Sequence, residues 1–228
     1  MNRFDSYAHD YDMALNRGIS VSGEDKTFFA KGRVVWLSHC LKRIGVTPRS
    51  VLDYGCGTGT ATSFLVRILK VDSIVGVDVS AESLEVARRE HSSSPAEYRL
   101  VSDYQPNAQI DLAYCNGVFH HVAPEQRVEA ARYIRACLKP GGLFALWDNN
   151  PWNPGTRYIM SKIPFDRDAV PMSAREARTM MRQAGFADLR TAYCFIFPHC
   201  VRWFRPLESW LTRMPLGAQY QVLGRKPE

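Results

Sequence analysis

The feature that most constrains this chain is a run of nine residues, Val51-Leu52-Asp53-Tyr54-Gly55-Cys56-Gly57-Thr58-Gly59. Residues 50–54 read as a short buried strand, and three alternating glycines follow at once. Glycine accepts positive φ and lets backbone approach a ligand with no Cβ in the way. The spacing excludes two common phosphate sites. A dinucleotide fingerprint needs G-x-G-x-x-G, but here position 60 is Thr60 and the third glycine arrives one residue early. A P-loop needs a lysine after its glycines, and none follows these. What fits is D-x-G-x-G-x-G, a loop whose carboxylate, Asp53, faces a cationic, non-phosphorylated ligand.

The loop sits in a repeating pattern. Residues 24–45 read as a helix with apolar positions near helical spacing. Strands are expected at 50–54, 73–78, 98–101, 110–115 and 143–147, with helices between them. Ser80 can cap the helix after the second strand. Strands alternating with helices, each apolar enough to be covered on both faces, imply a doubly wound, mostly parallel sheet with helices on both faces. Residues 149–172 hold Pro151, Pro154, Pro164 and Pro171 with no clear period, and read as a long loop or small insertion. Ser173 then caps a helix to about Ala184. Strands at 188–197 and 218–225 have no crossover helix between them, so they pair antiparallel at the sheet edge.

In open parallel sheets, ligands bind outside the carboxyl ends of the strands. Those ends carry one polar set after another. Asp53 and Gly55, Gly57 and Gly59 follow the first strand. Asp78 and Val79 end the second, 19 residues past Gly59, where a carboxylate can bond both hydroxyls of a ribose. Asp103 and Tyr104 follow the third, with Asp103 able to accept from an exocyclic amine. Asn116, Gly117, His120 and His121 follow the fourth.

This set resembles the class I S-adenosylmethionine-dependent methyltransferases of the small-molecule type, through Val51–Thr60, Val75–Ser80, Ile110–Val122 and Leu138–Leu146, and more loosely Ser173–Phe186 and Leu216–Arg225. The opening Phe4–Asp12 also looks like the family's segment that folds over the cofactor. The resemblance implies a seven-stranded sheet of order 3-2-1-4-5-7-6 with the last strand antiparallel. It also implies a single methyltransferase domain over 1–228: an N-terminal helical lid (1–45), a cofactor half (50–148) and an acceptor side ending in a hairpin (149–228). S-adenosylmethionine becomes the expected cofactor and S-adenosylhomocysteine the product. Carried across, Gly55, Gly57 and Gly59 would approach the methionine moiety and Asp53 would orient its amino group. Asp78 would bind the ribose, Asp103 the adenine amine, and Asn116 with Gly117 the methionine side.

The acceptor side is read from residue type. His120 either meets the acceptor and removes its proton, as a neutral imidazole near pH 7, or is a satisfied histidine at a helix start. His121 shares the alternatives, one ring pointing to the ligand and the other into packing. Tyr7 and Tyr11 share a helical face and either close over the sulfonium or pack the amino-terminal helix. Asn149 and Trp152 lie in a polar and aromatic loop suited to an acceptor pocket. Arg157 and Trp203 join them as further acceptor candidates.

Charge narrows the acceptor. Residues 1–150 hold 17 basic and 17 acidic side chains, whereas 151–228 hold 12 and 6, so the formal +6 lies entirely in the last third. The segment 194–211 interleaves aromatics with arginines, which suits a lid over a hydrophobic or anionic small acceptor or, alternatively, contact with a membrane surface near an amphiphilic acceptor. Nucleic acid is not expected, because the basic residues are not clustered in runs. A non-catalytic cofactor-binding subunit is a further alternative, opposed by the intact Asp53, Asp78 and glycine set. The six cysteines lack paired C-x-x-C spacing and read as reduced, core-filling thiols; no metal site is expected. With no basic-then-apolar leader and no apolar run of about 18 residues, a cytoplasmic protein is the expectation.

Overall fold

The computed structural model describes residues 18–163, 166 and 168–228. Its strands are β1 (Ser50–Tyr54), β2 (Ser73–Asp78), β3 (Ala96–Leu100), β4 (Ile110–Asn116), β5 (Leu138–Asn149), β6 (Ala187–Cys194) and β7 (Gln219–Arg225). They form one sheet in the order β3-β2-β1-β4-β5-β7-β6. The pairs from β3 through β5 are parallel, and β7 is antiparallel to both β5 and β6. This is the expected topology. Residues 1–17 of the expected amino-terminal lid, with Tyr7 and Tyr11, lie outside the described residues.

The sheet is buried on both faces because successive side chains of a strand point to opposite sides. On β4 and β5, Leu112, Tyr114, Leu143, Ala145 and Trp147 join one core layer. Their neighbours Ala113, Cys115, Phe144 and Leu146 join the other. Helix α1 (Lys26–Arg43) brings Val34, Leu37 and Leu41 to the first layer, together with Leu65 and Leu69. Those two leucines follow a short helix α2 (Thr62–Phe64), which widens into a π-turn at Leu65–Leu69. The second layer receives α4 (Arg127–Cys137) and α6 (Ala174–Gln183), after α3 (Ala81–Glu90) has covered β2 and β3. Burying side chains as large as Trp147, Phe119 and Phe144 contributes about 2–3 kcal/mol each, which is the main force holding the layers together.

Local signals set the helix starts. Asp25 accepts from the backbone N–H of Phe28 at 2.7 Å, Ser80 caps α3, and Ser173 with Glu176 makes a reciprocal capping box on α6. Two expectations change. The 149–172 stretch contains helix α5 (Pro154–Lys162), with Asn153 as its N-cap and Pro154 in its first turn. Strand β5 begins at Leu138, five residues early, because Lys226 beyond β7 exchanges backbone hydrogen bonds with Gly141 and Gly142 and carries pairing through the Pro-Gly-Gly turn. The β6–β7 connection is a 3-10 stretch (His199–Leu207) followed by α7 (Glu208–Leu211). Among the described residues, no helix is long and apolar enough to cross a membrane.

Candidate active site

The carboxyl ends of β1, β2, β4 and β5 lie along one edge of the sheet, and antiparallel β7 starts there, which adds Gln219 to the same edge. Two cavities open at this edge. One, of about 720 Å³, is lined by Tyr54, Asp78, Val79, Val101, Val118 and the glycine loop. The other, of about 190 Å³, is lined by Asp53, Arg33, Tyr114, His120, Asn149 and Asp166, among others. Both are lined by Gly55, Gly57, Thr58, Asn116, Gly117 and His121, so they meet at the glycine loop and the β4 end.

The three glycines of the loop serve different ends. All have positive φ. A Cβ on Gly55 would strike Val118 at 2.2 Å, and one on Gly59 would strike His91 at 2.6 Å, so these two are demanded by packing. Only at Gly57 would a Cβ meet nothing within 4 Å, which makes it the glycine that leaves room for a ligand. Gly59 lines neither cavity. Asp78 holds the loop in shape: one oxygen accepts from the Gly57 N–H at 2.8 Å and the other from the Ser80 N–H at 3.0 Å.

Asp53 and Asn116 supply unmet acceptors. Asp53 Oδ2 and Asn116 Oδ1 are buried with no hydrogen-bond partner. Burial first, then the nearby Asp78 charge, raise the Asp53 pKa to about 7 against the pull of Arg33. A buried carboxylate in that state favours a cationic donor. Arg33 itself is 8% exposed; its Nε donates to the Tyr114 hydroxyl at 3.2 Å and its Nη1 to Gln219 Oε1 at 3.0 Å. Gln219 in turn donates to Asn149 Oδ1 at 3.1 Å. The pairing of orphaned acceptors with a buried guanidinium, beside an open Gly57, fits the amino and carboxylate groups and the sulfonium of S-adenosylmethionine. Asp78 and Val79 in the larger cavity fit its nucleoside end.

One wall of the smaller cavity is built on His120. Its Nδ1 lies 2.5 Å from Asp148 Oδ1, with the two side chains 4% and 1% exposed. Asp148 Oδ1 also accepts from the Asn149 N–H at 2.7 Å. His120 Nε2 faces Asp166 Oδ1 at 3.7 Å, and His121 Nε2 approaches the same oxygen at 3.4 Å. Burial alone would lower the His120 pKa, but Asp148, with Asp166 adding to it, raises it to about 10. The neutral imidazole expected at pH 7 is therefore replaced by an imidazolium, because two carboxylates flank a nearly buried ring. On Asp166, burial acts upward, yet the two histidines hold its carboxyl below the ordinary range. By donor type, His120, His121 and Asp166 could also take a metal ion, since one ligand atom from each lies within 4.8 Å of the others.

The remaining expected residues fall elsewhere. Asp103 is exposed in the turn after β3, accepts from Ser102 Oγ at 2.9 Å and lines neither cavity. Tyr104 is buried in the core, with its carbonyl accepting from the Tyr133 hydroxyl at 2.6 Å. Trp152, Arg157 and Trp203 are exposed and line neither cavity. Cys56 and Cys115 are buried, and burial drives both thiols far above their ordinary range, as inert filling requires. Sequence reasoning missed Arg33, Asp166 and Gln219, and read Asp148 only as the first residue of the polar and aromatic loop that contains Asn149 and Trp152. The one available signal was Asp148, an acidic residue at the end of an otherwise apolar strand.

A seven-stranded sheet of this order, with an acidic glycine loop and an unmet buried carboxylate at its carboxyl edge, defines a class I S-adenosylmethionine-dependent methyltransferase. A family profile described as "Methyltransferase domain" matches residues 51–142. The chain is 26% identical to trans-aconitate 2-methyltransferase of Acidovorax ebreus (strain TPSY), over 95% of this chain and 90% of that protein. It is 32% identical to malonyl-[acyl-carrier protein] O-methyltransferase of Halalkalibacterium halodurans, over 77% of this chain and 60% of that protein. The fold is shared with a solved SAM-dependent methyltransferase from Thermotoga maritima, at a TM-score of 0.66 and 20% identity, covering 98% of this chain and 97% of that one. The chain belongs to the class I S-adenosylmethionine-dependent methyltransferases, and S-adenosylmethionine is its cofactor.

Proposed function

We propose that the chain methylates a carboxylate oxygen of a small acidic acceptor, and that His120 holds that carboxylate as an imidazolium. The observation that carries this reading is the buried His120–Asp148 pair on the wall of the cavity that also contains Asp53 and Arg33. Bound S-adenosylmethionine supplies an electrophilic methyl group on a sulfonium. A carboxylate is already ionised at neutral pH, so it needs no base. It needs a cation and a hydrogen-bond donor to place it, and a site that excludes water. His120 offers both: Asp148 fixes the ring through Nδ1, and Nε2 lies beyond hydrogen-bonding distance of Asp166. Lys26 and Arg33 also line this cavity and offset its carboxylates. The relatives named for trans-aconitate and for malonyl-[acyl-carrier protein] are named for acceptors that carry carboxylates.

In the same reading, Asp53, Asn116 and Arg33 hold the amino acid end of the cofactor, Gly57 leaves it space, and Asp78 takes the ribose. The test is transfer from methyl-labelled S-adenosylmethionine to a panel containing trans-aconitate, a malonyl thioester, a primary amine and a phenol, with and without a chelator. Label released by mild base as methanol, equally in both conditions, is the expected result. Label confined to base-stable amine or aryl ether products would overturn the carboxylate reading. Loss of turnover in chelator alone would give the His120, His121 and Asp166 cluster to a metal.

A further inference from the structure

A third hollow, of about 460 Å³, lies between α1, β6, β7 and the 199–211 connection and shares no lining residue with the two cavities of the active site. Its floor includes Gln221 of β7, which is 1% exposed. Gln221 Oε1 is taken by the Cys40 thiol at 3.7 Å, while its Nε2 is buried with no partner. The indole Nε1 of Trp36, on the same lining, is also buried and unpartnered. Both nitrogens are sealed from solvent, so they make a polar floor beneath the hollow and not open donors within it.

The rim is basic. Arg43, Arg190 and Arg213 line the hollow, with His39 beside them and no Asp or Glu. None of the three guanidiniums makes an ion pair or side-chain hydrogen bond to another described residue, although arginines elsewhere in the chain do, as Arg205 does with Glu24 at 2.7 Å. They come from three separate elements, the end of α1, β6 and the connection after α7, so the fold and not a sequence run brings them together. Three cations around one hollow, with no acid among them, make the donor set of an oxyanion site. The volume is that of an ordinary small-molecule pocket, larger than a single free phosphate needs.

We propose that this hollow is a second binding site, which takes a small molecule bearing a phosphate or carboxylate group. Arg43, Arg190 and Arg213 close on the oxyanion from the rim, above the floor that Gln221 and Trp36 form. The site accounts for part of the positive excess of the last third, since Arg190 and Arg213 belong to it. Helix α1 reaches both places, with Trp36, Cys40 and Arg43 here and Lys26, Phe29 and Arg33 at the transfer site.

The full chain would be titrated at low ionic strength with inorganic phosphate, glycerol phosphate and tricarballylate, and with chloride as control. The readout is the indole N–H proton resonance of Trp36, assigned by its loss in Trp36→Phe. A saturable shift with the phosphates, with tricarballylate or with both, and none with chloride at matched ionic strength, is the expected result; the tighter arm identifies the oxyanion. Arg190→Ala combined with Arg213→Ala, both exposed rim positions, is expected to weaken that binding about tenfold or more. Affinity for S-adenosylmethionine should stay unchanged in the same variant. The absence of any saturable shift, an equal shift with chloride, or undiminished binding in the double variant would overturn the proposal.

Discussion

The glycine-loop side and the acceptor wall of the active site solve the same problem, a charge out of water, in opposite ways. On the loop side each carboxylate works against backbone or empty space. Asp78 accepts from two backbone N–H groups, and Asp53 keeps one buried oxygen unpartnered. That oxygen awaits a cation brought by the ligand. On the acceptor wall the charges already meet one another, with His120 between Asp148 and Asp166. In the proposed reading the first arrangement is completed by binding, whereas in the second the His120–Asp148 pair is made beforehand and leaves Asp148 Oδ2 without a partner. The lesson is that the cofactor side should respond to substitution in affinity, and the acceptor side in turnover.

Asp78→Ala breaks this comparison most severely. Losing charge-assisted bonds to the ribose and the two backbone anchors should weaken S-adenosylmethionine binding about a hundredfold. Calorimetry checks this, and unchanged affinity would remove the ribose role of Asp78. Next, His120→Ala should lower turnover about a hundredfold with cofactor affinity intact. Asp148→Asn should cost about tenfold and also move the pH profile. The wild-type imidazolium, raised to about 10, persists through neutrality and is lost as pH climbs towards that value. Removing Asp148 brings the loss to lower pH, so the alkaline limb of turnover shifts down. A limb that stays in place would show that His120 is not the positioning cation.

The smallest effect concerns Asp53. Its carboxyl, raised to about 7, holds a proton over much of the range below neutrality. A bound cation favours the carboxylate, so binding releases a proton and tightens as pH rises through about 7. A gain of several-fold between about pH 6 and 8 is expected, flattened in Asp53→Asn. Calorimetry in buffers of different ionisation enthalpy counts the released proton directly.

What could be read from the sequence follows how local each feature is. The sheet order and the β6–β7 hairpin were legible through the resemblance and the lack of a crossover helix. That Asp53, Gly57 and Asp78 come to one edge of the sheet was legible because each lies at or just past the carboxyl end of a strand. Helix α5 was missed although Asn153-Pro154 carries a capping signal, because the surrounding prolines mask any apolar period. Gly59 was assigned to the ligand from its place in the loop, yet it packs against His91. Asp103 was assigned by its position after a strand, and the turn leaves it in solvent. Trp152 and Trp203 looked like pocket aromatics, and only their exposure separates them from the lining.

The sequence by itself determined the alternation of strands and helices and the location of the positive excess, because strand period and charge are properties of neighbouring residues; the sheet order and the cofactor came through the family resemblance. The tertiary structure alone decided which side chains share a site. His120 meets Asp148 from the next strand of the sheet and Asp166 from a connection 46 positions on, and Arg33 reaches the cavity from a helix that precedes β1. It also decided the protonation of His120. That depends on burial and on the distance to two carboxylates, and neither quantity exists until the chain has folded.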